Sequence, residues 1–222
     1  MEQLYNSTIA AISTAMSNSG IGIVRMSGPE AFQIADRVYK GKKEKKLCDQ
    51  KSHTIHYGYI VDGEQVIDEV LVMLMRGPHS YTGEDTVEIN CHGGVYVVKR
   101  ILELLIKNGA RPAEPGEYTK RAFLNGRQDL SQAEAVGDLI ASQNEYALQS
   151  SVSQLKGNIK DKISEMREKI LYHTAFIETA LDDPEHISVD GYGETLKKVV
   201  DEIMEAMKRL LDSCDDGRII KE

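Results

Sequence analysis

The 222-residue chain is 41% hydrophobic and 28% charged with a formal net charge of −8, a composition that suits a soluble protein of one or two domains of ~100–200 residues. No apolar run reaches the ~20 residues that span a bilayer, and the N-terminus (Met-Glu-Gln-Leu-Tyr-Asn) lacks the basic and apolar regions of a signal peptide, so a cytoplasmic protein without a membrane partner is expected. The acidic excess is confined to one half: residues 1–130 hold 16 Lys/Arg against 16 Asp/Glu, and residues 131–222 hold 11 against 19, a poor non-specific grip on nucleic acid, whose affinity comes mainly from cations.

In chain order, Thr8 to Thr14 reads as a strand and Ile21 to Met26 as a second, nearly continuous apolar one. Arg25 interrupts the second, and a cation there needs either a structural carboxylate or an anionic ligand. Ser27-Gly28-Pro29 opens a helix whose Ala31, Ile34, Ala35 and Val38 make an i, i+3, i+4, i+7 face. The basic run from Lys40 to Lys46 reads as a solvated loop. His53 to Val61 and Gln65 to Met75 pair as a hairpin through Asp62-Gly63. After the polar loop 77–85, Thr86 to Cys91 alternates, with Val87, Ile89 and Cys91 on one face and Glu88 and Asn90 on the other. His92-Gly93-Gly94 turns into a helix carrying Val98, Ile101, Leu102 and Leu105 and ending at Asn108-Gly109. Residues 1–125 are therefore an α+β domain of about five strands and three helices.

Residues 113–137 join two differently built halves. Pro115-Gly116 breaks the chain, Glu117 to Leu124 form a short helix, and Asn125-Gly126 stops it. Ser131 and Glu134 stand at the spacing of a capping box. Glu114, Glu117, Lys120, Arg121, Arg127 and Asp129 crowd this stretch, either as a solvated helix face or as part of a site. From Ser131 onward (residues 126–222 as a domain) the pattern is all-α, a helical bundle. Ser142 and Glu145 repeat the box, Leu148 to Leu181 keep a three-four apolar spacing, Asp182-Asp183-Pro184 stops it, and a last helix spans about Gly193 to Ser213. These long seams make an incomplete bundle, so a second copy or further chain is expected to cover them, and the charged end reads as a cut between domains.

For chemistry, Cys48, Cys91 and Cys214 give neither a disulfide framework nor a zinc spacing, and the histidines give no metal constellation. A Cys91–His92 nucleophile is disfavoured because adjacent strand residues face opposite ways. No phosphate loop and no Gly-x-Gly-x-x-Gly follows a strand, so these residues bind no nucleotide by those routes. His92-Gly93-Gly94 fits a turn where another group approaches backbone N–H groups, as in anion binding. Arg25, Glu88 and Arg127 sit at element edges near Gly-rich turns; two cations and a carboxylate suit a small ligand with carboxylates and a hydrogen-bonding ring edge.

Thr8-Ile-Ala-Ala-Ile, Gly20-Ile-Gly-Ile-Val-Arg-Met-Ser-Gly-Pro, Ser80-Tyr-Thr-Gly-Glu-Asp, His92-Gly-Gly, and the long Glu114-Pro-Gly-Glu-Tyr-Thr-Lys-Arg-Ala-Phe-Leu-Asn-Gly-Arg-Gln-Asp-Leu-Ser-Gln-Ala-Glu-Ala-Val run resemble the MnmE (TrmE) family of tRNA modification GTPases over the whole chain. The resemblance implies a tetrahydrofolate-binding and dimerising domain followed by the first part of a helical domain, with the chain stopping where an inserted G domain would begin. It implies a homodimer that works with the flavoprotein MnmG (GidA) on tRNA, adding a (carboxymethyl)aminomethyl group to C5 of the wobble uridine. The one-carbon unit comes from 5-formyl- or 5,10-methylene-tetrahydrofolate, while GTP, potassium and magnesium belong to the G domain, so no catalytic or metal residue is expected here. Folate contacts transfer to Arg25, Glu88 and Arg127, with His92, Gly93 and Gly94 as pocket support; a further family contact comes from a C-terminal tail. Ala15-Met-Ser-Asn-Ser-Gly20 departs from the usual Pro-Pro-Gly-x-Gly-Gly loop, and Ser7 replaces an acidic residue. The competing readings are a structural dimerisation module without a working folate site and, disfavoured by the acidic balance, direct tRNA binding.

Overall fold

Alternation in two central strands sets the layout of the first unit. In β2 (Ser19–Ser27) Val24 and Met26 are fully buried, and in β6 (Thr86–Gly93) Val87, Ile89 and Cys91 are buried. Successive side chains on a strand face opposite ways, so Arg25 and Glu88 share the other face. The computed structural model describes residues 7–41 and 45–221, and the chain divides into two compact units, the first ending at Gln128 and the second starting at Asp129.

The first unit is a seven-stranded sheet in the order β3-β4-β5-β6-β2-β1-β7. The remaining strands are β1 (Ile9–Ile12), β3 (Tyr39–Gly41), β4 (Thr54–Asp62), β5 (Gln65–Met75) and β7 (Arg111–Pro112). Every neighbouring pair is antiparallel except β1 and β7. Two of the seven strands go beyond the five expected: β3 and β7 are three and two residues long, too short to carry an alternation. The hairpin at Asp62-Gly63 pairs Asp62 with Gln65. Helix α1 (Ala31–Val38) buries Ala31, Phe32, Ile34, Ala35 and Val38, and α2 (Val95–Lys107) buries Val98, Ile101, Leu104 and Leu105. Both press on the face that carries Val24, Met26, Val87 and Ile89, where each fully buried aliphatic side chain contributes about 1.5–3 kcal/mol. Helix α1 starts two residues after Pro29, with Glu30 as its N-cap, and the Glu30 N–H donates to the Thr8 hydroxyl at 2.9 Å. Of the basic run, Lys42, Lys43 and Glu44 lie outside the described residues.

Helix α3 (Glu117–Leu124) ends at Asn125 as expected. The second unit holds α4 (Leu130–Ala141), α5 (Glu145–Leu155), α6 (Asn158–Asp182) and α7 (Tyr192–Lys221). Its caps correct two expectations. The capping box is Asp129–Gln132, with Asp129 Oδ1 accepting from Gln132 N and Gln132 Oε1 from Asp129 N, both at 2.9 Å; the Ser131 hydroxyl is spent on Asp129 Oδ1 at 2.7 Å. Asn144, not Ser142, caps α5, accepting from Ala147 N at 2.8 Å, while Ser142 closes α4 by donating to Leu139 O. The seam expected to run unbroken from Leu148 to Leu181 is divided at Gly157, whose φ of +84° is a left-handed conformation natural to glycine. Along it Ile163, Ile170 and Leu181 stay exposed, as do Met204 and Met207 of α7. Among the described residues no helix is long and apolar enough to cross a membrane.

Candidate functional site

On its open side the sheet meets a polar construction made by the loop 77–85 and α3. The loop is folded on its own hydroxyls: Ser80 Oγ donates to Glu84 O at 2.6 Å, and Ser27 Oγ lies 2.7 Å from both Thr82 Oγ1 and Glu84 Oε2. Asn125, at the end of α3, donates to Thr82 O at 2.8 Å. Between loop and helix runs a chain of alternating charges. Arg111 binds Glu117 through both terminal nitrogens, Glu117 Oε1 accepts from Arg121 NH2 at 3.0 Å, and Arg121 NH1 reaches both oxygens of Glu84 at 3.1 Å. Glu117 is 6% exposed and Arg121 only 2%. A buried charge is tolerated only when paired and hydrogen-bonded, so the solvated-face reading of the crowded 113–137 stretch fails for these two residues.

Burial alone would raise the Glu117 carboxyl, but hydrogen bonds from Arg111, Glu114 N–H and Arg121 outweigh it and hold it down to about 2. A carboxylate whose folded pKa lies below its unfolded value contributes stability that is complete above the unfolded value and is lost as pH falls through the folded one. Urea midpoints measured from pH 5 down to pH 2 are therefore expected to fall steadily, and Glu117→Gln to flatten that fall. A wild-type midpoint constant across this window would refute the pairing.

The three charges singled out in the sequence meet around this loop. Arg25 and Glu88 are direct partners across β2 and β6, with Arg25 Nε and NH2 both 2.7 Å from Glu88 Oε1. The pairing answers the need for a carboxylate and leaves Glu88 Oε2 to accept from elsewhere. The Arg25 guanidinium carbon lies 5.7 Å from the Tyr81 ring centre and 5.6 Å from that of Tyr118. Arg127, exposed after α3, directs Nε at Ser80 O at 3.4 Å, beside Tyr81. Neither tyrosine stood out in the sequence. The signal was their position, Tyr81 inside the polar loop and Tyr118 between Glu117 and Arg121, but it acquires meaning only once Arg25 is folded against them.

His92, Gly93 and Gly94 lie elsewhere. His92 is four residues beyond Glu88 on the same face of β6, about 13 Å along the strand. Its N–H and Nδ1 each bind an oxygen of Asp68 at 2.7 Å, and the hydrogen bond that the ring donates to the Asp68 carboxylate raises the imidazole pKa. The group that closely approaches Gly93 is β2 itself: a Cβ there would sit 2.6 Å from Ser19 O and 2.7 Å from Ile21 O. Gly94 precedes the first turn of α2. Cys91 faces the core, opposite His92, and burial and then the Asp68 charge push its thiol up to about 11, which leaves it a poor nucleophile. The Cys48 thiol is likewise pushed up to about 11, first by burial and then by Asp36; the Cys214 side chain lies outside the described residues.

Residues 8–127 match the family model for the GTP-binding protein TrmE N-terminus, and residues 130–222 match the MnmE helical domain. The chain belongs to the MnmE (TrmE) family. It is 55% identical over 216 residues to the tRNA modification GTPase MnmE of Lachnoclostridium phytofermentans, covering 97% of this chain and 47% of that relative. It is 51% identical over 221 residues to the MnmE of Carboxydothermus hydrogenoformans (99% and 48%) and 47% identical over 221 residues to that of Bacillus subtilis (97% and 48%). The chain thus spans about half the length of these curated MnmE relatives. The TrmE match ends on Arg127, and the helical match starts immediately after Asp129, the residue that caps α4.

Proposed function

We propose that this chain is the folate-binding and self-associating N-terminal part of a cytoplasmic tRNA-modifying GTPase. The Arg25–Glu88 pair on the open face of the sheet, flanked by two tyrosine rings, carries the reading. Its donors and acceptors fit a tetrahydrofolate: a carboxylate with one uncommitted oxygen suits the N–H edge of a pterin, and the exposed cation Arg127 suits the glutamate carboxylates. Bound there, 5-formyl- or 5,10-methylene-tetrahydrofolate supplies a one-carbon unit. In the complete protein this unit serves, with the flavoprotein MnmG, the addition of a (carboxymethyl)aminomethyl group to C5 of the wobble uridine of tRNA. GTP, potassium and magnesium are handled by a G domain outside these residues.

Self-association into a homodimer is supported by the exposed apolar side chains Ile21, Ile55, Tyr57 and Leu71, which cluster around a cleft of the open face as residues of a protein–protein contact do. The same feature favours the second reading, a dimerisation module whose Arg25–Glu88 pair is purely structural.

Titration of the 222-residue protein with 5-formyltetrahydrofolate by calorimetry separates the two. Saturable binding that Arg25→Ala weakens about tenfold or more supports the folate site. Absence of binding leaves the dimerisation module.

A further inference from the structure

We propose that Tyr81 and Tyr118 are positioning residues of this site, acting through Arg25; the inference rests on the folate reading above. Arg25 is a long side chain on the open face of the sheet, and Glu88 grips it through a single oxygen. A guanidinium held at one edge by one atom still pivots about that atom. The two rings remove this freedom, because a guanidinium is attracted to an aromatic face within about 6 Å of its centre. Both rings lie inside that limit, at 5.7 and 5.6 Å.

The rings are themselves fixed. The Tyr118 hydroxyl donates to the carbonyl of Arg25 at 2.6 Å, so this ring is fastened to the residue whose side chain it steadies. The Tyr81 hydroxyl lies 2.9 Å from Thr119 Oγ1, tying the loop ring to the residue after Tyr118. Around them, Arg121 joins Glu117, the neighbour of Tyr118, to Glu84 in the loop of Tyr81. Two rings, from a loop and from the first turn of a helix, are thereby held as one frame around a single guanidinium. Arg25 NH1 makes no hydrogen bond among the described residues and stays available to a ligand. Preorganisation of this kind strengthens binding by removing the cost of ordering the side chain when the ligand arrives.

Two readouts test the assignment. In the ligand-free protein, the Arg25 Nε–H cross-peak in a ¹⁵N–¹H spectrum is expected to be sharp and shifted by the rings, to collapse toward the free-arginine position in Tyr118→Leu, and to survive in Tyr118→Phe. In calorimetry with 5-formyltetrahydrofolate, Tyr118→Leu and Tyr81→Leu are each expected to bind about tenfold more weakly, with Tyr118→Phe restoring most of the loss. An Arg25 signal indifferent to Tyr118→Leu overturns the inference. So does wild-type affinity in both leucine variants, or a Tyr118→Phe variant as weak as Tyr118→Leu. If the wild-type protein binds no folate while its Arg25 signal responds as expected, the folate reading has failed, and the positioning role falls with it.

Discussion

Arg121→Ala is expected to cost the first unit about 3–5 kcal/mol, the penalty for removing one partner of a buried ion pair. The side chain is 2% exposed and serves two carboxylates through Nε, NH1 and NH2. Once it is gone, Glu117 keeps Arg111 and the Glu114 N–H, whereas among the described residues Glu84 keeps only the Ser27 hydroxyl as a side-chain donor. The carboxylate of Glu84 is the stranded charge, so the double variant Arg121→Met with Glu84→Gln should recover much of the loss. Urea unfolding followed by far-UV circular dichroism measures both. A loss below about 1 kcal/mol for the single variant would mean that water reaches the pair freely. Domains of this size are stable by about 5–15 kcal/mol, so the expected loss is a large share of the total.

The second large effect concerns binding. Glu88→Ala is expected to weaken 5-formyltetrahydrofolate binding by about 2 kcal/mol, roughly thirtyfold, as for a hydrogen bond to a charged group. The variant removes the ligand's acceptor and at the same time frees Arg25, whose Nε and NH2 both end on Glu88 Oε1. Glu88→Gln keeps one acceptor oxygen for Arg25 and should fall between wild type and Glu88→Ala. Stability should move much less, by under about 1 kcal/mol, because the pair is partly exposed. Calorimetry alongside urea unfolding separates the two effects. Unchanged affinity in Glu88→Ala would remove Glu88 from the site.

The parts of this fold that repeat were legible in the sequence. Alternation in Thr86–Cys91 assigned Val87, Ile89 and Cys91 to the core, and the three-four spacing of α1 named four of its five buried residues. What has no period was missed. The short strands β3 and β7 exist because β4 and β1 offer them an edge, a tertiary cause invisible locally. Both helix caps were misplaced because Asp129 and Ser131 lie two residues apart, Ser142 and Asn144 likewise, and either member of each pair has a side-chain oxygen that can cap. At the site, Arg25 could be recognised as a cation in need of a partner, and Glu88 as a polar residue on the open face, but their pairing depends on a register between strands 63 residues apart. The buried pair Glu117 and Arg121 looked like any other i, i+4 pair on a helix surface. Its burial comes from Arg111 and Glu84, neither of which is in the same helix.

The parallel pairing of β1 with β7 also decides when the unit can close during synthesis. Ser7 and Arg111 are hydrogen-bonded side chain to side chain across 104 residues, and β1 has an unpaired outer edge until Arg111 and Pro112 arrive. Arg111 is also the first member of the charge chain that runs through Glu117 and Arg121 to Glu84. A nascent chain can therefore build the hairpin of β4 and β5, and add β6 and then β2, while its first strand still has a free side. The last residues of the unit to emerge both cover that edge and set the tyrosine frame around Arg25. Assembly of the sheet and completion of the site thus fall together late in the unit, so a chain stalled before β7 would expose an open strand edge and a cation that lacks its Tyr118 ring.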